Sequence, residues 1–127
     1  RFLLDTHVFL WAHLHPDKLS DAARGVIVDG DATLVLSAAS SWEIAIKFAL
    51  GKLQLPELPE RYVPSRMRAL SMVGLPIFHE AALHLRSLPG HHRDPFDRIL
   101  VAQAQLEGIT LVTNDPSIAA YDVETLW

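Results

Sequence analysis

A chain of 127 residues, half of them hydrophobic, fits one domain with a sizeable core and leaves little room for a second, so a single domain over residues 1–127 is expected. A net charge of −4 and a pI near 5.9 argue against gripping nucleic acid through a general positive field, and the lack of cysteine excludes disulfides and thiolate zinc or redox chemistry. The longest apolar runs, such as Ile99 to Ala102, fall short of a membrane span, and Arg1-Phe2-Leu3-Leu4-Asp5 is no signal peptide, so the expectation is a soluble, cytoplasmic protein without membrane contact.

Phe2-Leu3-Leu4 reads as a short buried strand feeding a helix from about His7 to Leu14, which Pro16 stops. Ser20 is placed as the N-cap of a helix carrying Ala22, Ala23, Val26 and Ile27, with Gly30 near its end. Thr33 to Ser37 is the second strand, and a helix from about Ala39 to Leu50 follows, closed by Gly51. Leu53 to Pro64, with Pro56, Pro59 and Pro64, reads as a loop before a helix around Ser65 to Met72. Leu75 to Phe78 is the expected third strand, His79 to Leu88 a helix, and Pro95 to Glu107 a clear helix that Gly108 stops. Thr110 to Thr113 and Val123 to Trp127 are the fourth and fifth strands. Short apolar strands alternating with helices predict a mainly parallel five-stranded sheet covered on both faces, an α/β/α architecture.

In such a sheet, ligands bind beyond the carboxyl ends of the strands, near the point where strand order reverses. Asp5 follows the first strand directly and Asp115 lies just beyond the fourth, so both face that edge. Either also fits a turn or an N-cap, and Asp115-Pro116 is a good helix start. Glu43 lies one turn into the helix after the second strand, where it reaches the same edge or, alternatively, belongs to a solvated stripe with Ser40 and Lys47. Trp42 and Ile46 are expected in the core. Asp94, followed by Pro95, is placed as an N-cap with a scaffold role. Asp97 at the third helical position either supports that helix start or turns into the crevice.

Four acids, Asp5, Glu43, Asp97 and Asp115, thus come from four segments to one edge. Gathered carboxylates repel one another unless cations neutralise them, and oxygen donors without Cys or a His pair select Mg²⁺ or Mn²⁺ over zinc. Such a site can orient a phosphodiester and activate water, which is nuclease chemistry. No Lys or Arg occurs from Ile99 onward, whereas Lys47, Lys52, Arg61, Arg66, Arg68, Arg86, Arg93 and Arg98 all precede it. This permits a basic rim around an acidic centre, and equally describes solvated faces. Arg86, Arg93, Arg98 and Lys47 are the candidate phosphate contacts. His91 and His92 read as exposed loop histidines.

Together, Leu3 to His7, Ser37-Ala38-Ala39-Ser40-Ser41-Trp42-Glu43-Ile44, Gly51-Lys52-Leu53, Asp94 to Arg98 with Ala102-Gln103-Ala104 behind it, Gly108 to Asn114 and the closing Trp127 resemble the PIN domain, and within it the VapC toxins of bacterial toxin-antitoxin systems. The resemblance spans nearly the whole chain. It implies a three-layer PIN-like fold, with Asp5, Glu43, Asp97 and Asp115 as the acids of a catalytic Mg²⁺ or Mn²⁺ site, supported by Thr6, Thr113 and Asn114. It implies endoribonuclease activity leaving a 5′-phosphate, homodimerisation, and inhibition by a cognate VapB antitoxin, with DNA reached only through that antitoxin. A haloacid-dehalogenase-like phosphatase would require a second Asp where His7 stands. A receiver domain would require an Asp after the third strand, where His79-Glu80 follow. The rival of a different class is a PIN-like binding module whose acids are only caps.

Overall fold

Successive side chains of a strand point to opposite faces, and here both sets are apolar. The computed structural model describes residues 1–127. β1 (Phe2–Leu4) lies at the centre of a five-stranded sheet, flanked by β2 (Leu34–Ser37) and then β3 (Val73–Leu75) on one side, and by β4 (Thr110–Val112) and then β5 (Thr125–Leu126) on the other. All four pairings are parallel. In chain order the helices are α1 (Thr6–Leu14), α2 (Asp21–Val28), α3 (Ala38–Ala49), α4 (Pro59–Ala69), α5 (His79–His84), α6 (Pro95–Glu107) and α7 (Pro116–Ala119), with 3₁₀ turns at Pro16–Lys18 and Leu85–Ser87.

The strand alternation sorts the core into two layers. Leu3, Val35 and Leu111 point towards Leu100, Val101 and Ala104 of α6 and Ile118 of α7. Leu4, Leu34, Leu36 and Val112 point the other way, towards Val8 and Phe9 of α1, Ala23 of α2, and Tyr62 and Val63 of α4. Burying each such Leu or Val stabilises the fold by about 1.5–3 kcal/mol relative to leaving it exposed. α3 contributes to both layers, Ala39 to the first and Ile44 to the second. The α/β/α arrangement expected from the sequence is the one observed.

The departures have local causes. β3 starts and ends earlier than the expected Leu75 to Phe78, because Pro76 has no N–H to give the ladder, whose last pair is Ser37 with Leu75. α4 occupies much of the presumed Leu53 to Pro64 loop and ends at Ala69: Pro59 sits at its start, where a missing N–H costs nothing, and Pro64 is carried inside it. The burial of Tyr62 and Val63 compensates for the hydrogen bond that Pro64 removes. The expected helix to Leu88 is α5 and a 3₁₀ turn. Gly51 and Gly108, at φ 72° and 64°, stop α3 and α6 in the left-handed conformation that glycine adopts without strain.

Strand order turns back between β1 and β4, since the chain leaves β1 for β2 on one side and resumes at β4 on the other. That places the carboxyl ends of β1 and β4 side by side under the starts of α1, α3 and α6.

Candidate active site

At this edge a crevice of about 360 Å³ is lined by Asp5, Glu43, Asp94, Asp97 and Asp115, with Thr6 and His7 at its floor and Lys47 and Lys52 among its walls. Five carboxylates face two lysines. The four acids singled out in the sequence do share one space, and Asp94 joins them.

Asp5 is the deepest, only 2 % exposed. It caps α1, its Oδ1 accepting from the Thr6 N–H at 2.7 Å, while Oδ2 accepts from the Thr113 hydroxyl at 2.7 Å. His7 Nδ1 lies 3.2 Å from the same Oδ2, and its Nε2 is 2.8 Å from Asn114 Oδ1. Thr113 Oγ1 also accepts from the backbone N–H of Asp115 at 3.0 Å, so one hydroxyl fixes both strand-end acids. Asp115 caps α7 through the Ser117 N–H at 2.9 Å. The cap role and the crevice position coincide in both residues. Thr6 acts elsewhere, its hydroxyl donating to the buried Ser40 at 2.9 Å and tying α1 to α3.

Glu43 and Asp97 come from helices. Glu43 is buried at 6 % exposure and pairs with Lys47 one turn on, so the stripe expected in solvent lies against the crevice on the Glu43 side. The hydrogen bond to Glu43 is the first cause of a raised Lys47 pKa. Asp94 Oδ1 accepts from the N–H groups of Phe96 at 2.9 Å and Asp97 at 3.2 Å, the N-cap role expected of it, and that turn aims Asp97 inward.

The electrostatic result is uneven. Burial pushes the Asp5 carboxyl above its ordinary value, against the opposing effects of His7, Thr113 and the Thr6 N–H. Asp97 is pushed up to about 8, first by burial and then by the charges of Asp5, Asp94, Asp115 and Glu43. The side chains as they stand contain no group of three arranged to hold one metal ion.

Several side chains depart from expectation. Trp42 is 56 % exposed, not core, and stacks edge-on against Phe96 with ring centroids 5.1 Å apart; Ile46 is also exposed. Arg98, a candidate phosphate contact, is occupied inside the fold: it donates to the carbonyls of Pro89 at 2.7 Å and Leu85 at 3.2 Å and to the Tyr121 hydroxyl at 2.9 Å. His92, read as an exposed loop residue, is 3.3 Å from Asp97 and 3.0 Å from the Tyr121 hydroxyl. His91 is exposed, as expected. Tyr121 carried no motif at all, and Lys52, named in the basic rim but not among the candidate phosphate contacts, is a crevice cation. The i+2 spacing of His7 from Asp5, on the first turn of a helix, was a legible signal for its contact.

Comparison with known proteins places these features in context. The chain matches the PIN domain over residues 2–124. It is 42 % identical over 78 residues to Ribonuclease VapC16 of Mycobacterium tuberculosis, a stretch covering 59 % of this chain and 55 % of that protein. It is 32 % identical over 121 residues to Ribonuclease VapC22 of the same organism, covering 94 % of this chain and 90 % of the relative. Among solved structures, VapBC2 from Rickettsia felis bound to a promoter DNA fragment superposes with a TM-score of 0.71, covering 98 % of this chain and 96 % of that one; at 14 % identity this likeness concerns the fold.

Proposed function

The chain belongs to the PIN-domain family, and on that premise we propose that it is a metal-dependent endoribonuclease, the toxin of a toxin-antitoxin pair, with Asp5, Glu43, Asp97 and Asp115 holding Mg²⁺ or Mn²⁺. The observation that carries this reading is the convergence of carboxylates from four segments on one crevice. Among them the Asp97 carboxyl is pushed up to about 8, first by burial and then by the four acids around it, a setting that a cation would relieve. The donors fit a hard cation: the acids offer only oxygens, Cys is absent, and His7 and His92 are each turned to a carboxylate.

A bound Mg²⁺ or Mn²⁺ supplies polarisation of the phosphodiester, activation of water and compensation of charge on the leaving oxygen. The protein's own contribution is placement. Thr6, Thr113 and the Asp115 backbone hold the Asp5 side, Asp94 aims Asp97, and Lys47 and Lys52 stand where RNA phosphates would approach. With a net charge of −4, grip on RNA is local, and hydrolysis leaves a 5′-phosphate. A VapB-type antitoxin is the proposed inhibitor. Homodimerisation is supported by Trp42, Ile46 and Leu50, an exposed apolar stripe at i, i+4 and i+8 along α3 and its C-cap. No helix is long and apolar enough to cross a membrane. The cytoplasm, where RNA is at hand, is the proposed place of action.

The test is cleavage of total RNA after a short pulse of expression, with and without a co-expressed VapB-type antitoxin. Growth arrest with new 5′-phosphate ends, relieved by that antitoxin, is expected. Normal growth and intact RNA, together with no thermal shift on adding Mn²⁺, would leave the acids as helix caps in a binding module.

A further inference from the structure

Asp97 projects from the first turn of α6, where the Asp94 cap directs the residue inward, but no hydrogen bond from that helix reaches its carboxylate. The fixing group comes from outside. His92 Nε2 is 3.3 Å from Asp97 Oδ2, a long contact between side chains that are 17 % and 15 % exposed. On the far side of the ring, His92 Nδ1 is 3.0 Å from the Tyr121 hydroxyl. That hydroxyl already accepts from Arg98 at 2.9 Å, and Arg98 is itself immobilised by the carbonyls of Pro89 and Leu85.

The donor inventory then leaves one consistent assignment for a neutral ring. A phenol has one proton. Facing Asp97 as a carboxylate, which only accepts, Nε2 of a neutral ring must carry the ring proton. Nδ1 then accepts, and the Tyr121 hydroxyl, whose oxygen takes the guanidinium N–H, gives it the phenol proton. We propose that His92 is a positioning residue for Asp97: Tyr121, anchored by Arg98, locks the ring in the Nε2–H form, and that N–H holds Asp97 Oδ2 so that Oδ1 faces the crevice. The proposal rests on the reading of the crevice as a divalent-cation site. Outer partners of this kind orient metal-binding side chains, and their loss typically costs about 10–100-fold in metal affinity.

Two measurements on the full chain test it. The first is free of metal: side-chain ¹⁵N NMR in mildly alkaline buffer should show the His92 ring protonated on Nε2 alone, with that preference weakened in Tyr121→Phe. A proton on Nδ1, or an unchanged ring in Tyr121→Phe, would overturn the lock. The second is Mn²⁺ affinity by calorimetry on variants whose circular dichroism matches the wild type. His92→Ala should bind Mn²⁺ about 10-fold or more weakly, and His92→Gln, whose amide N–H takes the place of Nε2–H, should recover most of the loss. Wild-type affinity in His92→Ala, or no recovery in His92→Gln, would overturn the positioning role. Absence of Mn²⁺ binding in the wild type would overturn the cation-site reading and the positioning role with it. That result differs from failure of the lock, because the ring tautomer is read without metal.

Discussion

The two sides of the crevice hold their carboxylates by different means. On the sheet side, Asp5 and Asp115 sit at the ends of β1 and β4, each capping the helix that follows, and one threonine hydroxyl links them. On the helix side, Glu43 and Asp97 arise within or near the first turns of α3 and α6 and take their partners, Lys47 and His92, from other positions. Asp5 has its charge met by donors even though it is the more deeply buried. Asp97 has fewer donors and more carboxylates around it, and carries the larger burden. Burial is the first cause in both; at Asp5 it is opposed by His7, Thr113 and the Thr6 N–H, whereas at Asp97 the four neighbouring acids add to it.

Catalysis should be blind to this difference. Asp5→Asn and Asp97→Asn each remove one oxygen anion from the proposed cation set, and each should lower RNA cleavage by about 100-fold or more, the order of loss seen when an electrostatic group is removed from an active site. Comparing initial rates at saturating Mn²⁺ checks this. A clean Asp5→Asn preparation that cleaves normally would remove the physical basis of the nuclease reading.

Stability should separate the two sides. For Asp97 the folded value is about 8 and the ordinary value 3.8, so between those limits the folded state binds a proton that the unfolded state has released. Stability of the metal-free protein therefore falls as pH rises through that window. Asp97→Asn should abolish much of this slope and raise the melting temperature near pH 8. Asp5→Asn should bring little or no gain, because its amide group would meet the Thr113 hydroxyl that now donates to the carboxylate. Melting curves from pH 5 to 8 without metal decide it, and equal gains from both variants would erase the distinction drawn between the two sides.

What could be read in the sequence divides along the same line. The sheet-side acids were legible because strand-end position and the N-cap signature are local, and because strands one and four can flank the reversal of a doubly wound sheet, as they do here. The α6 start, Asp94-Pro95, was legible for the same reason. Trp42 was not: its place on an amphipathic helix suggests the core, whereas it is exposed and lies against Phe96 of another helix. His92, Tyr121 and Arg98 form their network through contacts spanning up to 29 positions, which no local pattern encodes. β3 was misplaced because an apolar run reads the same on either side of a proline, whereas the ladder distinguishes them.

Asp94 provides a smaller test, since it lines the crevice yet spends Oδ1 on the cap of α6. Asp94→Asn should keep both the cap and most of the cleavage rate, while Asp94→Ala should cost about 1 kcal/mol of stability. Chemical denaturation alongside rate measurements checks this. A loss of activity in Asp94→Asn as severe as in Asp97→Asn would mean that the acid serving the metal has been misassigned.

The smallest expected effect concerns Lys47. Its side chain is half exposed while Glu43 is buried, so the pair contributes little to folding, about 1 kcal/mol or less. Its meaning lies in competition: the ammonium occupies Glu43 where a cation would draw on the same carboxylate. In Lys47→Met, Glu43 keeps its burial and loses its partner. The metal-free protein should melt slightly lower, and the rise in melting temperature on adding Mn²⁺ should be larger than in the wild type, because binding then relieves an uncompensated charge. RNA cleavage at limiting RNA should fall even so, if Lys47 also meets a phosphate. If Mn²⁺ shifts the melting of Lys47→Met no more than that of the wild type, Glu43 stands outside the cation set, and the helix side of the crevice holds its metal through Asp97 alone.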